Sequence, residues 1–366
     1  MNNAILSPLE CNIMRGIAIL AIITNNFGHM ITGVYEDNEF TYNYDNVIAF
    51  ISLLHDYNST LPFNILSFYS PFGVMLFIFL SGYGLTLKYE SKMGYSTDCT
   101  SFIINHYKKL FIMQTKGLAI FYLIFILFFK DTIIYVLPLI KQLLLIGNIT
   151  GSPIHPGPFW FFGMIIEIYI IYRLFLFRRS SLFIIIVSIL SLVLMALFEP
   201  YGDTMSFLRI NFGMAILPFC LGILAARHIH PNIITTPKSS LLYWFYLFLS
   251  MILLTLCKFN FYSWLIMPIF IIFVAFFIVK IISKVNILSQ IFNWIGALSG
   301  VLFVIHPTIR EIIIPRANEF NHPNEIFIYL FLTIVLSVIL RPIFINKDSS
   351  VTRLGNNKST EYKDTH

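Results

Sequence analysis

Cys11-Asn12-Ile13-Met14-Arg15-Gly16-Ile17-Ala18-Ile19-Leu20-Ala21-Ile22-Ile23-Thr24-Asn25-Asn26-Phe27-Gly28-His29 decides how this chain is built. Its middle is a run of aliphatic residues, and both ends carry groups that hydrocarbon disfavours. A block of about 17–25 mainly apolar residues can cross a bilayer as a helix. At about 100° per residue, Arg15 and His29 fall within roughly 40° of one another and about 21 Å apart along the axis. Asn25 and Asn26 precede His29 by four and three residues and share its face. One stripe of this helix is therefore polar from end to end. An ionisable group near the bilayer centre costs roughly 2.5–3.5 kcal/mol on insertion scales, which marks such a stripe as functional by default. The structural alternative is interhelical hydrogen bonding, with Arg15 snorkelling to the interface. For the cluster of Asn25, Asn26 and His29 the functional reading is preferred.

The rest of the chain repeats the pattern. Of its 366 residues, 57% are hydrophobic and 11% charged, and the mean hydropathy is +0.79. A soluble domain carries about 25% charged residues, so the composition speaks against a soluble enzyme, a disordered protein and a nucleic-acid binder. The net charge of +6 comes from basic residues set between apolar blocks, not from one basic face. Ten blocks read as spans: 12–31, 70–87, 112–129, 158–177, 181–198, 208–226, 241–257, 261–279, 288–306 and 325–345. The predicted fold is all-α, a polytopic membrane protein of about ten transmembrane helices over residues 1–345. Residues 346–366 read as a polar, disordered cytoplasmic tail with no partner motif. The first block lacks a basic n-region and a small-residue cleavage site, so it is not read as a cleavable signal peptide. The four cysteines are scattered, with no CxxC and no histidine at ligand spacing, so neither a disulfide framework nor a metal site is expected.

Orientation follows from Lys and Arg. Loop 32–69 has none, while it carries Glu36, Asp37, Glu39, Asp45 and Asp56; the next connection carries Lys88, Lys92, Lys108 and Lys109. Continued alternately, one side collects 16 basic residues and the other 6. The positive-inside rule then predicts that both termini are cytoplasmic. The acidic loop also holds Tyr35, Phe40, Tyr42, Tyr44, Tyr57 and Phe63, suited either to a sugar acceptor or to an interfacial aromatic belt.

Further polar residues interrupt apolar blocks. Glu167 stands mid-span, with Trp160 and Met164 on its face by i, i+4, i+7 spacing. A carboxylate there must pair with a cation, accept hydrogen bonds or be protonated, and an ion pair with Arg15 is one structural outcome. His306 precedes Pro307, with Arg310 and Glu311 beyond, and reads either as an outer polar site or as an interfacial histidine ending a helix. His106, Lys108 and Lys109 introduce the third span, as ligands for donor phosphates or as topology determinants. Together these residues trace a polar line from a basic inner mouth to an outer histidine cluster.

On these residues the chain resembles the acyltransferase family 3, integral-membrane O-acyltransferases of bacteria. Met14-Arg15-Gly16-Ile17-Ala18-Ile19-Leu20 is similar to the family's opening motif, and Ser70 to Gly84, closing in Leu80-Ser81-Gly82-Tyr83, to its second. Phe159-Trp160-Phe161-Phe162 with Glu167 resembles the fourth-span motif, and Gly296-Ala297-Leu298-Ser299 running to Ile305-His306-Pro307 the late one. The likeness covers about residues 9–345. The family's histidine would fall ten or eleven residues after Arg15, where this chain has Asn25 and Asn26; His29 lies one turn further. The family's Arg-x-x-Arg pair is met by His106 and Lys109.

The resemblance implies transfer of an acyl group, commonly acetyl, from cytoplasmic acyl-CoA to a hydroxyl of an envelope glycan or lipid-linked sugar, in a bacterial inner membrane. Acyl-CoA is then a co-substrate and no bound cofactor is expected. His29 would serve as base and Asn25 and Asn26 as positioners or oxyanion donors, with Glu167 orienting His29 or neutralising Arg15. Arg15, His106, Lys108 and Lys109 would hold the donor. Ser81 reads as helix packing before acyl-enzyme chemistry. Two other classes compete: a flippase or transporter of lipid-linked sugars, against which stands the lack of an internal repeat, and a non-catalytic relative that has lost the usual histidine.

Overall fold

The first helix shows how the fold starts. Ser7 and Glu10 form a capping box, the Ser7 N–H donating to Glu10 Oε2 (2.8 Å) and the Glu10 N–H to Ser7 Oγ (3.2 Å). Helix α1 then runs Pro8–Gly28. The computed structural model describes residues 5–28, 30–31, 41–55, 61–90, 98–128, 135–228, 240–319 and 324–344. All regular structure among them is helical. After α1 come α2 (Tyr44–His55), α3 (Leu61–Tyr69), α4 (Gly73–Tyr89), α5 (Cys99–Phe128), α6 (Val136–Leu143), α7 (Trp160–Ile171) and α8 (Ser181–Ala196). The chain continues through α9 (Asp203–Ile210), α10 (Phe212–His228), α11 (Ser240–Cys257), α12 (Phe261–Leu265), α13 (Met267–Ile282), α14 (Asn286–Glu319) and α15 (Glu325–Phe344).

Five helical runs are long and apolar enough to cross a membrane: Leu61–Tyr89, Cys99–Phe128, Gly157–Leu176, Asn286–Glu319 and Glu325–Phe344. A sixth appears if α9 and α10, bent by 45° at their junction, count as one span. The outer surface is what lipid requires. Leu123, Leu127 and Phe128 on α5, Leu182 and Leu190 on α8, Phe248 on α11 and Phe331 on α15 are all exposed. In water such a surface would be an aggregation hazard; facing acyl chains it costs nothing.

The structure redraws several of the ten blocks. The third, read from 112, belongs to a 30-residue helix starting at Cys99, so His106, Lys108 and Lys109 are helical residues and not a loop before it. The ninth does not stop at His306: α14 continues through Pro307 and Pro315 to Glu319. A membrane helix tolerates proline because neighbours re-satisfy the freed carbonyl. The sixth is broken at Asn211, and the eighth begins in the separate turn α12. Loop 32–69 contains α2 and α3, and α3 runs on through a 3-10 turn into α4. At 16 residues α8 is about 24 Å long, short of a roughly 30 Å hydrocarbon core. The tail 346–366 lies outside the described residues.

Helices α1 and α14 pack parallel as the centre of the bundle. Gly16 and Gly296 let the backbones meet: a Cβ on Gly296 would lie 1.8 Å from the Asn12 carbonyl oxygen, and one on Gly16 2.5 Å from that of Phe292. Without a hydrophobic drive between helices in lipid, such close approach supplies the packing energy. Asn12 Nδ2 donates to Asn293 Oδ1 (3.0 Å) at one end of the seam. Helix α4 crosses α1 at Gly73 and α10 at Gly82 and Gly222 by the same device.

Candidate functional site

The Asn26 end of the α1–α14 seam, which the orientation expected from the loops would place outermost, holds a buried polar cluster. Asn26 is 5% exposed and Arg310 5%, and Arg310 Nη1 donates to Asn26 Oδ1 (3.0 Å) while Nη2 donates to Glu311 Oε1 (2.6 Å). Asn26 Nδ2 returns to its own helix, donating to the Ile22 carbonyl (2.9 Å). Asn25 is buried beside it. One helical turn before Arg310 sits His306, wholly buried, its Nδ1 3.3 Å from the Leu302 carbonyl and its Nε2 without a hydrogen-bond partner among the described residues. Thr308 Oγ1 and the Tyr329 hydroxyl are buried and unpartnered in the same way, and Tyr329 stacks on Phe27 at 5.4 Å. His155 approaches from the loop before α7, its ring edge-on to Phe121 at 5.0 Å. Burial holds its pKa below the ordinary histidine value, with Glu311 pulling it up and Arg310 pushing it further down. His29, the expected base, lies outside the described residues.

The opposite end, around Arg15, is exposed. Arg15 Nη1 donates to Asn12 Oδ1 (3.0 Å). Near it, the Tyr169 hydroxyl donates to Ser81 Oγ at 3.4 Å and Ser81 back-bonds to the Phe77 carbonyl (2.9 Å). His106 packs its ring against Tyr169 (5.2 Å) and Phe102 (4.1 Å), with Nδ1 held 2.8 Å from the Phe102 carbonyl. That makes His106 as much a packed aromatic as a phosphate ligand, whereas Lys108 and Lys109 are exposed. Gly84 borders open space. Between the two ends lies an aromatic stretch: Phe77 meets Phe161 (6.5 Å), Phe161 meets Phe303 (5.2 Å), and Phe303 meets His306 (5.7 Å).

Glu167 joins neither end. Its Oε2 accepts from the Phe212 N–H (3.0 Å), and no ion pair with Arg15 forms among the described residues. The carboxylate caps the first turn of α10, where the chain restarts after its break and presents unpaired N–H groups. Asn148 supports the same junction, Nδ2 donating to the carbonyls of Trp160 (2.8 Å) and Ile210. Trp160 is thereby tied by its backbone to the α9–α10 junction.

A single α1 face thus carries a cation at one mouth and a buried amide–guanidinium pair at the other, and the chain's likeness to known proteins follows that plan. The model of the acyltransferase 3 family, described as an acyltransferase domain, matches residues 9–341. The chain belongs to the acyltransferase 3 family. No curated protein and no solved structure matches it significantly. Membership makes the protein a membrane acyltransferase by family; of the residues that the sequence singled out, Arg15 lies towards one end of the seam and Asn25, Asn26 and His306 towards the other, whereas Glu167 joins neither. Arg310, Tyr169 and Tyr329 were not singled out as site residues. Arg310 had a signal, its i, i+4 spacing from His306, hidden by reading Pro307 as the helix end.

Proposed function

We propose that this acyltransferase 3 member transfers an acyl group, acetyl first of all, from cytoplasmic acyl-CoA to a hydroxyl of an envelope glycan or glycolipid. The reading includes ten crossings: the five long runs together with α1, the bent α9–α10 pair, α8, α11 and α13, with both termini in the cytoplasm of a bacterial inner membrane. In the reaction, the acceptor oxygen attacks the thioester carbonyl, an ester O–C bond forms, the C–S bond breaks, and the hydroxyl proton ends on the CoA thiol. A hydroxyl is a poor nucleophile at neutral pH and needs a base within hydrogen-bond reach. His29, by its spacing on α1, and His155 and His306 are the imidazoles to consider at the outer end, and of the described pair only His306 is wholly buried.

The observation that carries the reading is the α1 face itself. Asn26 follows Arg15 by 11 residues, about 16 Å along the axis and within about 20° in azimuth. Arg15 and the exposed lysines Lys108 and Lys109 suit the donor's phosphates, since guanidinium and ammonium groups bind them by charge-assisted hydrogen bonds. The aromatic stretch gives an apolar path for the acyl-bearing arm, and the Asn26–Arg310 pair offers donors to the oxyanion that develops on the thioester carbonyl.

One observation supports a second reading. Asn26 occupies a position where the family resemblance places a histidine, and an amide has no lone pair that takes a proton at neutral pH; a non-catalytic relative would look the same there. Reconstituted protein given radiolabelled acetyl-CoA and the envelope fraction of its source cells separates the two. Transfer of label into a base-labile ester supports the acyltransferase. Acetyl-CoA left intact by properly folded protein supports the relative, and passage of unmodified lipid-linked sugar between leaflets would instead indicate a flippase.

A further inference from the structure

His306 has a feature that no other histidine among the described residues shares: it is fully buried, and its Nε2 has no hydrogen-bond partner. A carbonyl oxygen only accepts, so the Nδ1 that faces the Leu302 carbonyl at 3.3 Å carries the ring's hydrogen. In the neutral ring that leaves the Nε2 lone pair free. Burying a polar atom without a partner costs on the order of 1–3 kcal/mol, and a chain keeps such an atom where something else is to meet it. What surrounds it suits a reacting hydroxyl. Arg310 lies one turn along α14 and reaches Asn26 across the seam; Thr308 Oγ1 and the Tyr329 hydroxyl are among the further buried groups without a partner at this end. Phe303 packs against the imidazole at 5.7 Å and links it to the aromatic stretch leading from Ser81 and Arg15.

We infer that His306, through Nε2, is the general base that takes the acceptor hydroxyl's proton, in a chain whose first-helix histidine position is filled by Asn26. This rests on the acyltransferase reading above. The Nδ1 hydrogen bond to Leu302 fixes the tautomer as a carboxylate or carbonyl does for other catalytic histidines. Arg310 keeps its charge beside the developing oxyanion and Asn26 orients that guanidinium. The proton passes from the hydroxyl to Nε2 as the O–C bond forms, and from Nε2 to the departing CoA sulfur as the C–S bond breaks.

The test uses the full-length protein in proteoliposomes with radiolabelled acetyl-CoA and the envelope fraction as acceptor source. His306→Ala and His306→Asn are compared with wild type and with His29→Ala, each checked for thermal unfolding in detergent. A positioned base is worth roughly 10²–10⁴-fold in rate. The expected result is a loss of that size in kcat in either His306 variant, acetyl-CoA KM within about threefold of wild type, and at least tenfold restoration of His306→Ala by added imidazole. Restoration is the readout that a merely structural histidine would not give. Retention of activity within about threefold, or a loss that imidazole does not restore in a folded variant, overturns the inference. So does loss in His29→Ala alone, which assigns the base to the first helix. If wild type itself transfers no label, the acyltransferase reading fails first, a result distinct from these.

Discussion

At the scale of single residues, the Asn26–Arg310 bond is a buried contact that joins the two central helices at the end away from Arg15. Removing the guanidinium strands the buried amide oxygen of Asn26 and deprives Glu311 of its partner at 2.6 Å. A hydrogen bond to a charged group is worth about 1.5–3 kcal/mol. Arg310→Ala should lower the unfolding midpoint in detergent and reduce acyl transfer at least tenfold, whereas Arg310→Lys should recover stability more than rate, because it lacks the planar fork. Glu167 makes the opposite case. The sequence marks it as the most costly group in the membrane and so as a catalytic candidate, yet its carboxylate caps the restart at Phe212. Nothing in hydrophobic periodicity reveals the break at Asn211, so the structural use of Glu167 was illegible. Glu167→Gln keeps an acceptor oxygen and should leave transfer within about threefold of wild type; Glu167→Ala should cost about 0.5–2 kcal/mol, the range for losing an N-cap. Thermal melts alongside rates separate the two outcomes, and a rate collapse in the Gln variant with an unchanged melt would return Glu167 to the chemistry.

At the scale of helices, glycine contacts position the site. Gly296 stands where any Cβ would collide with the Asn12 carbonyl, and the residues that follow on α14 lead to Ser299, His306 and Arg310. Gly296→Val should force α1 and α14 apart, lowering the unfolding midpoint and removing activity even though the chemistry lies three turns away. Gly84→Ala on α4 meets nothing within 4 Å and should leave the fold intact; equal damage from both would discredit the seam. Most helices were legible from apolar length alone, since hydrocarbon demands continuous helix. Where they begin and end was not. The long amphipathic start of α5 and the passage of α14 through Pro307 depend on neighbours that re-satisfy backbone groups, and a single sequence does not display its neighbours.

At the scale of the molecule, the basic asymmetry of the loops and the family plan are legible in the sequence, and the structure adds the parallel central pair whose two polar ends are joined by an apolar aromatic stretch. Asp45, exposed at the start of α2, tests the orientation. A cysteine there, in a background lacking other reactive thiols, should react with an impermeant maleimide in intact cells, and protection would invert the topology.

The central claim is that donor and acceptor meet through the protein from opposite faces. Acetyl-CoA does not cross membranes, so radiolabelled acetyl-CoA added outside inverted inner-membrane vesicles reaches only the cytoplasmic face. The account predicts base-labile acetyl ester accumulating inside those vesicles, and none when right-side-out vesicles receive the same label. Ester formed on the donor's own side, or equal labelling of both vesicle types, would contradict it.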